Sequence, residues 1–159
     1  MMIDSVSTQI IFEHQQQPPV DVAALAQRFG LNVYADALNP GISGMIVRRP
    51  EYRSASGYSI IVNSSDPLVR QRFTVAHEIA HFLLHRDQIG DGITENTLHR
   101  AEGFSSKEEV QANKLAADIL MPLDLISRQM NGGNRELREL ARTFNVSEIA
   151  MAIRLGLQS

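Results

Sequence analysis

Two histidines four residues apart, with a glutamate directly after the first, stand in the segment TVAHEIAHFLLH at residues 74–85. On an α-helix, residues at this spacing are rotated by about 40° and separated by about 6 Å along the axis, so His77 and His81 project from one face. Their imidazoles can converge on one metal ion. Glu78 lies at the rim of the same site, where a carboxylate can act as a general base in hydrolysis. The pattern therefore predicts half of a metal site.

Zinc is the metal that this donor set favours, although manganese or iron could also bind two imidazoles and a carboxylate. A zinc ion with three protein ligands keeps one position for water and lowers the pKa of that water to about 7. Glu78 could then take its proton during attack on a peptide carbonyl and pass it to the leaving amine. The expected chemistry is peptide hydrolysis.

The alternative interpretation is a core helix whose polar residues form a hydrogen-bonded network. The composition gives roughly 0.01 chance occurrences of His-Glu-x-x-His in the whole chain. The other residues from 75 to 84 are apolar, so these polar side chains are expected beside the core. There, each unpaired polar group costs about 1–3 kcal/mol. A bound metal removes this cost, which favours the metal interpretation.

His85 is expected to have a supporting role. It lies about 12 Å along the helix axis from His77, too far for both to bind one ion together with His81. We expect His85 to interact with the helix C-terminus or to support a ligating histidine.

The third ligand is expected on a second helix, in the segment KEEVQANKLAADILMP at residues 107–122. The chain has no cysteine, which leaves histidine and carboxylate as its strong ligands. Glu109 lies near the apolar face of this helix, whereas Glu108 is turned about 100° away and is more exposed. Asn113 lies on nearly the same side as Glu109 and could hydrogen-bond a ligating histidine.

Hydrophobic periodicity and turn residues predict the elements around these helices. A short first helix is expected before Gly30, and Ser65 or Asp66 is expected to cap the histidine-bearing helix. Ser105 or Ser106 begins the second long helix in a capping-box pattern. A long loop is predicted at 86–106. Strands are predicted in 31–37, 45–49 and 58–63, and two short helices in 134–156, the second capped by Ser147.

Composition restricts the function classes. The formal charge of −3 gives no excess of lysine and arginine for binding phosphates, so we expect no direct contact with nucleic acid. The first residues carry an acid where a signal peptide has positive charge, and no segment is apolar enough to span a membrane. We expect a cytoplasmic protein.

Four segments in this order resemble the ImmA/IrrE family of metallopeptidases, and they cover nearly the whole chain from about Val20. They are GISGMIV, RQRFTVAHEIAHFLLH, EEVQANKLAADILMP and LARTFNVSEIAMAIRLG. The resemblance implies that His77, His81 and Glu109 bind Zn²⁺ and that Glu78 is the catalytic base. Gln111 stands where many relatives carry another acid, which favours Glu109 over its neighbours as the third ligand.

The same resemblance implies an α+β fold with a zincin-like core. In such a core, a small twisted sheet packs on the His-Glu-x-x-His helix and on a second ligand-bearing helix. A C-terminal segment resembling a helix-turn-helix follows. We expect one metallopeptidase domain over residues 1–159, with a catalytic core at 18–125 and a helical subdomain at 134–157.

The implied function is zinc-dependent endopeptidase activity against a helix-turn-helix repressor of the XRE type, in a stress, phage or mobile-element response. One alternative is a non-proteolytic metal-binding regulatory or toxin partner of such a repressor. Another is a DNA-binding helix-turn-helix module. Its would-be recognition helix, SEIAMAIRLG, carries only Glu148 and Arg154 as charged residues, so a structural or partner-docking role is favoured.

Two further hypotheses concern the substrate. His99, in the glycine-rich loop, is a candidate for stabilising the oxyanion of the tetrahedral intermediate. The strand from Tyr58 to Asn63 is a candidate for binding the substrate backbone by strand addition.

Overall fold

A computed structural model describes residues 3–96 and 103–157 of the chain, an α+β arrangement of one mixed four-stranded sheet and seven α-helices within those ranges. The candidate oxyanion residue His99 lies outside the described residues. The helices are α1 (Ser5–Glu13), α2 (Val22–Arg28), α3 (Leu68–Leu84), α4 (Ser106–Leu120), α5 (Leu123–Asn131), α6 (Leu137–Phe144) and α7 (Glu148–Arg154). The strands are β1 (Asn32–Asp36), β2 (Ile42–Arg48), β3 (Tyr58–Asn63) and β4 (Gly92–Asn96), and short 3-10 helices occupy Pro50–Tyr52 and Arg86–Gln88.

The sheet has the strand order β1-β3-β2-β4. Strand β3 pairs with β1 in parallel and with β2 in antiparallel orientation, and all of its residues are buried. The prediction that Tyr58–Asn63 binds substrate by strand addition is therefore wrong, because both edges of this strand are already paired. Among the described strands, β4 lies at the edge of the sheet beside β2.

Helices α3 and α4 pack closely against each other over the middle of both helices. Small side chains permit this approach, since Ala76 on α3 and Ala112 and Ala116 on α4 are completely buried. The N-terminus of α4 has the predicted capping box, in which the Ser105 hydroxyl accepts from the backbone N–H of Glu108 and the Glu108 carboxylate accepts from that of Ser105. This cap fixes the start of the helix that carries Glu109.

The predicted cap of α3 is wrong. Pro67 itself occupies the N-cap position, which has no side-chain cap, and Asp66 accepts from the Gln71 side chain only through its backbone carbonyl. The backbone N–H of Ser65 instead donates to the side chain of Asn63, which keeps this residue in the turn after β3. Pro67 suits the position because it has no N–H that would need a partner.

Three elements are absent from the sequence-based prediction: α1, β4 and α5. Asp4 is the N-cap of helix α1, and its carboxylate accepts from the backbone N–H of Ser7. Gln15, just beyond its end, donates to the backbone carbonyls of Asp118 and Ile119 and so joins α1 to α4. Strand β4 lies inside the segment 86–106, for which a loop is predicted. Gly90 and Gly92 favour that loop prediction and hide the short strand.

The two predicted C-terminal helices are present as α6 and α7. Asn145 between them adopts a left-handed conformation with φ of 53°, and Ser147 caps α7 by accepting from the backbone N–H of Ala150. Arg72 on α3 donates to the carbonyls of Phe144 and Asn145, and these hydrogen bonds fix the turn against α3. Within residues 3–96 and 103–157, no helix combines the length and apolar character that a membrane span needs.

Gly44 in β2 permits the sheet to lie directly on α3. A Cβ atom at this position would come within 2.7 Å of the Ile61 carbonyl oxygen and 2.8 Å of Thr74 Cγ2. We expect Gly44→Ala to lower the free energy of unfolding by about 1–3 kcal/mol, as overpacking does elsewhere. Urea denaturation followed by circular dichroism measures this change.

Gly132→Ala is the matched control for that substitution. A Cβ atom at Gly132 would lie 3.4 Å from the nearest atom, the Arg128 carbonyl oxygen, and the residue has an ordinary negative φ. Equal stability of the two variants would contradict the close sheet-to-helix contact at Gly44.

Candidate metal centre

Four buried side chains converge between α3, α4 and β4. They are His77 and His81 from α3, Glu95 from β4 and Glu109 from α4, and one nitrogen or oxygen atom of each lies within 4.8 Å of the others. The first three are completely buried and Glu109 is 7% exposed. The structure thus brings the predicted pair of histidines and Glu109 together, and it adds Glu95 to them.

The His77 imidazole is oriented by a hydrogen bond on its far side. Its Nδ1 lies 2.8 Å from the side-chain oxygen Oδ1 of Asn113, which can only accept, so Nδ1 carries the proton and Nε2 presents a lone pair to the cluster. This is the arrangement found for metal-ligating histidines, whose second nitrogen is held by an outer partner. The predicted supporting role of Asn113 has its geometric basis here.

The His81 imidazole is oriented by a relay through His85. Nδ1 of His81 lies 2.9 Å from Nδ1 of His85, and Nε2 of His85 lies 3.0 Å from Oε1 of Gln111. Because the amide oxygen accepts, His85 donates from Nε2 and accepts at Nδ1, so His81 donates from Nδ1. Nε2 of His81 is then left as a lone pair that faces the cluster. Phe104 stacks on His81 with 4.1 Å between ring centroids.

The carboxylates of Glu95 and Glu109 approach these lone pairs. Oε1 of Glu95 lies 3.2 Å from Nε2 of His77 and 3.3 Å from Nε2 of His81. The oxygens of Glu109 lie 3.8 and 2.7 Å from the same two nitrogens. Neither carboxylate has an oxygen aligned with a hydrogen-bond donor.

These residues fit a divalent cation. Both oxygens of Glu78, Glu95 and Glu109 are buried without a hydrogen-bond partner, and three carboxylates in one enclosed space repel one another. Buried charges are normally paired or bound to metal, because the loss of hydration is otherwise too costly. The donor set of two imidazole nitrogens and carboxylate oxygens is one that zinc binds.

Burial and the charges of the cluster shift the pKa values of its members. Burial, reinforced by the nearby Glu95 and Glu109, raises the pKa of Glu78 well above its ordinary value. Burial alone would also raise the pKa of Glu95, but His77 and His81 outweigh it and lower that pKa to about 2. Burial would lower the pKa of His81, but the carboxylates of Glu109 and Glu95 raise it.

Glu95 and Gln111 are the site residues that sequence reasoning missed. The signal for Glu95 is the alternation in GITEN, where the only buried residue of β4 is an acid rather than an apolar side chain. The signal for Gln111 is weaker. Gln111 lies two residues before Asn113 on α4, and the two amides contact His85 and His77, respectively.

The model of the family described as Peptidase_M78, IrrE N-terminal-like domain, matches residues 26–156. The chain belongs to this family. The match confirms the resemblance to the ImmA/IrrE family that the sequence motifs indicate, and it includes all four residues of the buried cluster.

Two relatives named radiation response metalloprotease IrrE are similar to part of the chain. The protein of Deinococcus deserti is 39% identical and that of Deinococcus radiodurans 37% identical over an alignment of 94 residues, and each match covers 55% of this chain. The matches cover 32% and 27% of the two relatives, so they span between a quarter and a third of the relatives' length. A solved structure named Mycobacterium tuberculosis transcriptional regulator has the same fold, with a TM-score of 0.64 and 17% identity over 95% of this chain and 45% of that one.

Asn113 should contribute to metal affinity through His77. Removing an outer hydrogen-bond partner of a ligating histidine typically weakens metal binding by about 10–100-fold. We expect Asn113→Ala to weaken zinc binding to this extent, measured by competition with a chromophoric chelator. Asn113→Asp, which keeps an acceptor oxygen, should retain most of the affinity.

Lys107→Ala is the control for that measurement, because Lys107 is exposed on the same helix. An Asn113→Ala variant with the affinity of this control would show that the hydrogen bond does not orient a ligand.

Proposed function

We propose that this chain is a zinc-dependent endopeptidase in which His77, His81 and Glu109 hold the metal and Glu78 is the catalytic base. The observation that carries the proposal is the common direction of the two Nε2 lone pairs. Asn113 and His85 each hold the Nδ1 side of one imidazole, so that both rings present their other nitrogen to Glu109. Membership of a peptidase family and the names of the Deinococcus relatives support the same conclusion.

Zinc bound here would polarise the carbonyl of the scissile peptide bond and favour ionisation of the attacking water. The protein residues supply the positioning and the proton transfer. Glu78 follows His77 directly on α3, so the packing that fixes the ligand also fixes the base. Its buried carboxylate has a raised pKa, which makes it a better proton acceptor than a surface glutamate. Glu78 takes the proton of water and delivers it to the leaving amine.

The arrangement of elements supports a zincin-like catalytic core. The sheet packs on the helix that carries His77 and His81, and the helix that carries Glu109 packs on the same ligand helix. In our proposal, residues 18–125 form this core and residues 134–157 form a helical subdomain joined to it. The hydrogen bonds of Arg72 to the turn between α6 and α7 are one such connection.

For the substrate, we propose a helix-turn-helix repressor of the XRE type, cleaved in a stress, phage or mobile-element response. A groove of about 840 Å³ between α3, α4 and α7 supports a protein substrate. Its lining includes Val110, Ile149 and Ile153, each more than half exposed. Phe73 and Asn113 also line the groove, and both contact His77, so the groove adjoins the metal centre.

A docking role for the C-terminal helices fits this surface better than DNA recognition does. Arg154 is the only cationic residue of α7, and its guanidinium is bound to the Asp118 carboxylate and the Met121 carbonyl of the core. The exposed face of α7 instead presents the apolar side chains Ile149 and Ile153.

Metal content tests the ligand assignment. We expect about one zinc per chain in the wild type after dialysis against a weak chelator, as for a single catalytic site. His77→Ala and Glu109→Ala should each lower the zinc content sharply, because each removes a ligand. Atomic emission spectroscopy on purified, folded protein measures the ratio.

His14→Ala is the control for metal content, since His14 is the C-cap of α1 and its Nδ1 is bound to the Ile10 carbonyl of that helix. A wild type that neither contains nor takes up zinc would refute the metal site and leave the buried cluster as a structural network.

Glu78→Gln separates catalysis from binding. The amide keeps the shape of the side chain but cannot accept the proton, so we expect cleavage to fall by about 10²–10⁴-fold while zinc content is retained. Cleavage is measured by mass spectrometry on the repressor encoded nearest to the gene for this chain and on a peptide library. If Glu78→Gln relieves repression in cells as well as the wild type does, the protein acts by binding and not by proteolysis.

A further inference from the structure

We propose that Glu95 is a fourth protein ligand, which closes the metal's coordination shell and keeps the enzyme latent until Glu95 moves away. This inference rests on the proposed function, because it describes the resting state of the same metal centre. It concerns a residue that lies on a different element from the three ligands implied by the sequence motif.

The distances around Glu95 are those between neighbouring ligands of one tetrahedral ion. With bonds of about 2.0–2.1 Å from zinc to nitrogen or oxygen, two ligand atoms of a tetrahedron lie about 3.3 Å apart. Oε1 of Glu95 lies 3.2 Å from Nε2 of His77 and 3.3 Å from Nε2 of His81. The oxygens of Glu109 lie 3.8 Å from Nε2 of His77 and 2.7 Å from Nε2 of His81, and these distances differ more from the tetrahedral spacing.

The side chains that act on the Glu95 carboxylate are His77, His81 and Glu78, all of them next to or within the cluster. The Glu95 side chain is completely buried, and neither of its oxygens has a hydrogen-bond partner. A buried carboxylate without donors remains ionised only beside positive charge, and the pKa of Glu95 is lowered to about 2. Because His77 and His81 present lone pairs when their Nδ1 atoms donate, a cation between the three side chains is the charge that fits.

Four protein ligands have a chemical consequence. Structural zinc sites are closed by four protein ligands, whereas catalytic sites keep one position for water or substrate. A carboxylate from β4 in that position also lies beside Glu78, the proposed base, and occupies the space that the attacking water needs. The chain in this conformation can hold the metal but cannot hydrolyse a peptide.

The location of Glu95 makes this closure reversible. It is carried by β4, which lies at the edge of the sheet and has β2 as its neighbour among the described strands. The register between the two strands is irregular next to Glu95, between Ile42 and Gly44. Rotation of one side chain, or a small shift of this edge strand, removes the fourth ligand without disturbing α3 or α4.

Cobalt-substituted protein tests the proposal without any substrate. Azide binds cobalt only at an open coordination position, and its binding is followed in the visible absorption spectrum. We expect the wild type to bind azide weakly and Glu95→Gln and Glu95→Ala to bind it at least about tenfold more tightly. The same variants should lose at least about tenfold in zinc affinity, because a ligand is lost.

Glu51→Gln, an exposed glutamate on the surface, is the matched control, and thermal unfolding verifies that every variant is folded. Wild-type azide affinity and zinc affinity in both Glu95 variants would overturn the inference. The proposed function would still stand in that case if His77→Ala loses zinc. If the wild type binds no metal at all, the proposed function and this inference both fail.

At saturating zinc, Glu95→Gln should cleave peptides faster than the wild type, and an unchanged or lower rate would contradict latency.

Discussion

The close packing of α3 against α4 is the constraint on which the rest of the site depends. Alanines at the contact allow the two backbones to approach, and this approach places Asn113 and Gln111 within reach of His77 and His85. A single helix can present two imidazoles at the correct spacing, but its geometry does not determine which nitrogen of each ring faces inward. The amide side chains of the second helix determine this orientation through their hydrogen bonds, and the same helix carries Glu109.

The cluster is electrostatically unfavourable as a group of protein residues alone. Three carboxylates share an enclosed space with two imidazoles, and the protein around them supplies few donors. Burial and mutual repulsion raise the pKa of Glu78 well above its ordinary value, while the histidines lower the pKa of Glu95 to about 2. A divalent cation changes this balance because it attracts every carboxylate at once. Metal binding and the stability of the fold are therefore linked, since a ligand that binds only the folded state stabilises it.

The sequence was sufficient for the parts of the site that depend on local spacing. His77, Glu78 and His81 follow from helical geometry, and Glu109 with Asn113 follows from the face of the next helix. The capping box at Ser105 and the cap at Ser147 are also local patterns, and both are present. Glu95 could not be found in this way, because its position depends on the pairing of β4 with β2 across about fifty residues of chain. The cap of α3 was mistaken because two good capping residues precede Pro67, and only the turn after β3 decides which residue begins the helix.

The relay from His81 through His85 ends at a neutral amide. A carboxylate at the end of such a chain would draw the proton away from His81 and make its inward nitrogen a stronger electron donor. Gln111 accepts the same hydrogen bond without adding negative charge, so the relay itself does not increase the electron donation of His81. A metal on such a nitrogen would be held less tightly than one on a histidine whose outer partner is a carboxylate. The affinity of this centre for metal is therefore tuned by Gln111, a residue that lies two hydrogen bonds away from the ligating imidazole of His81.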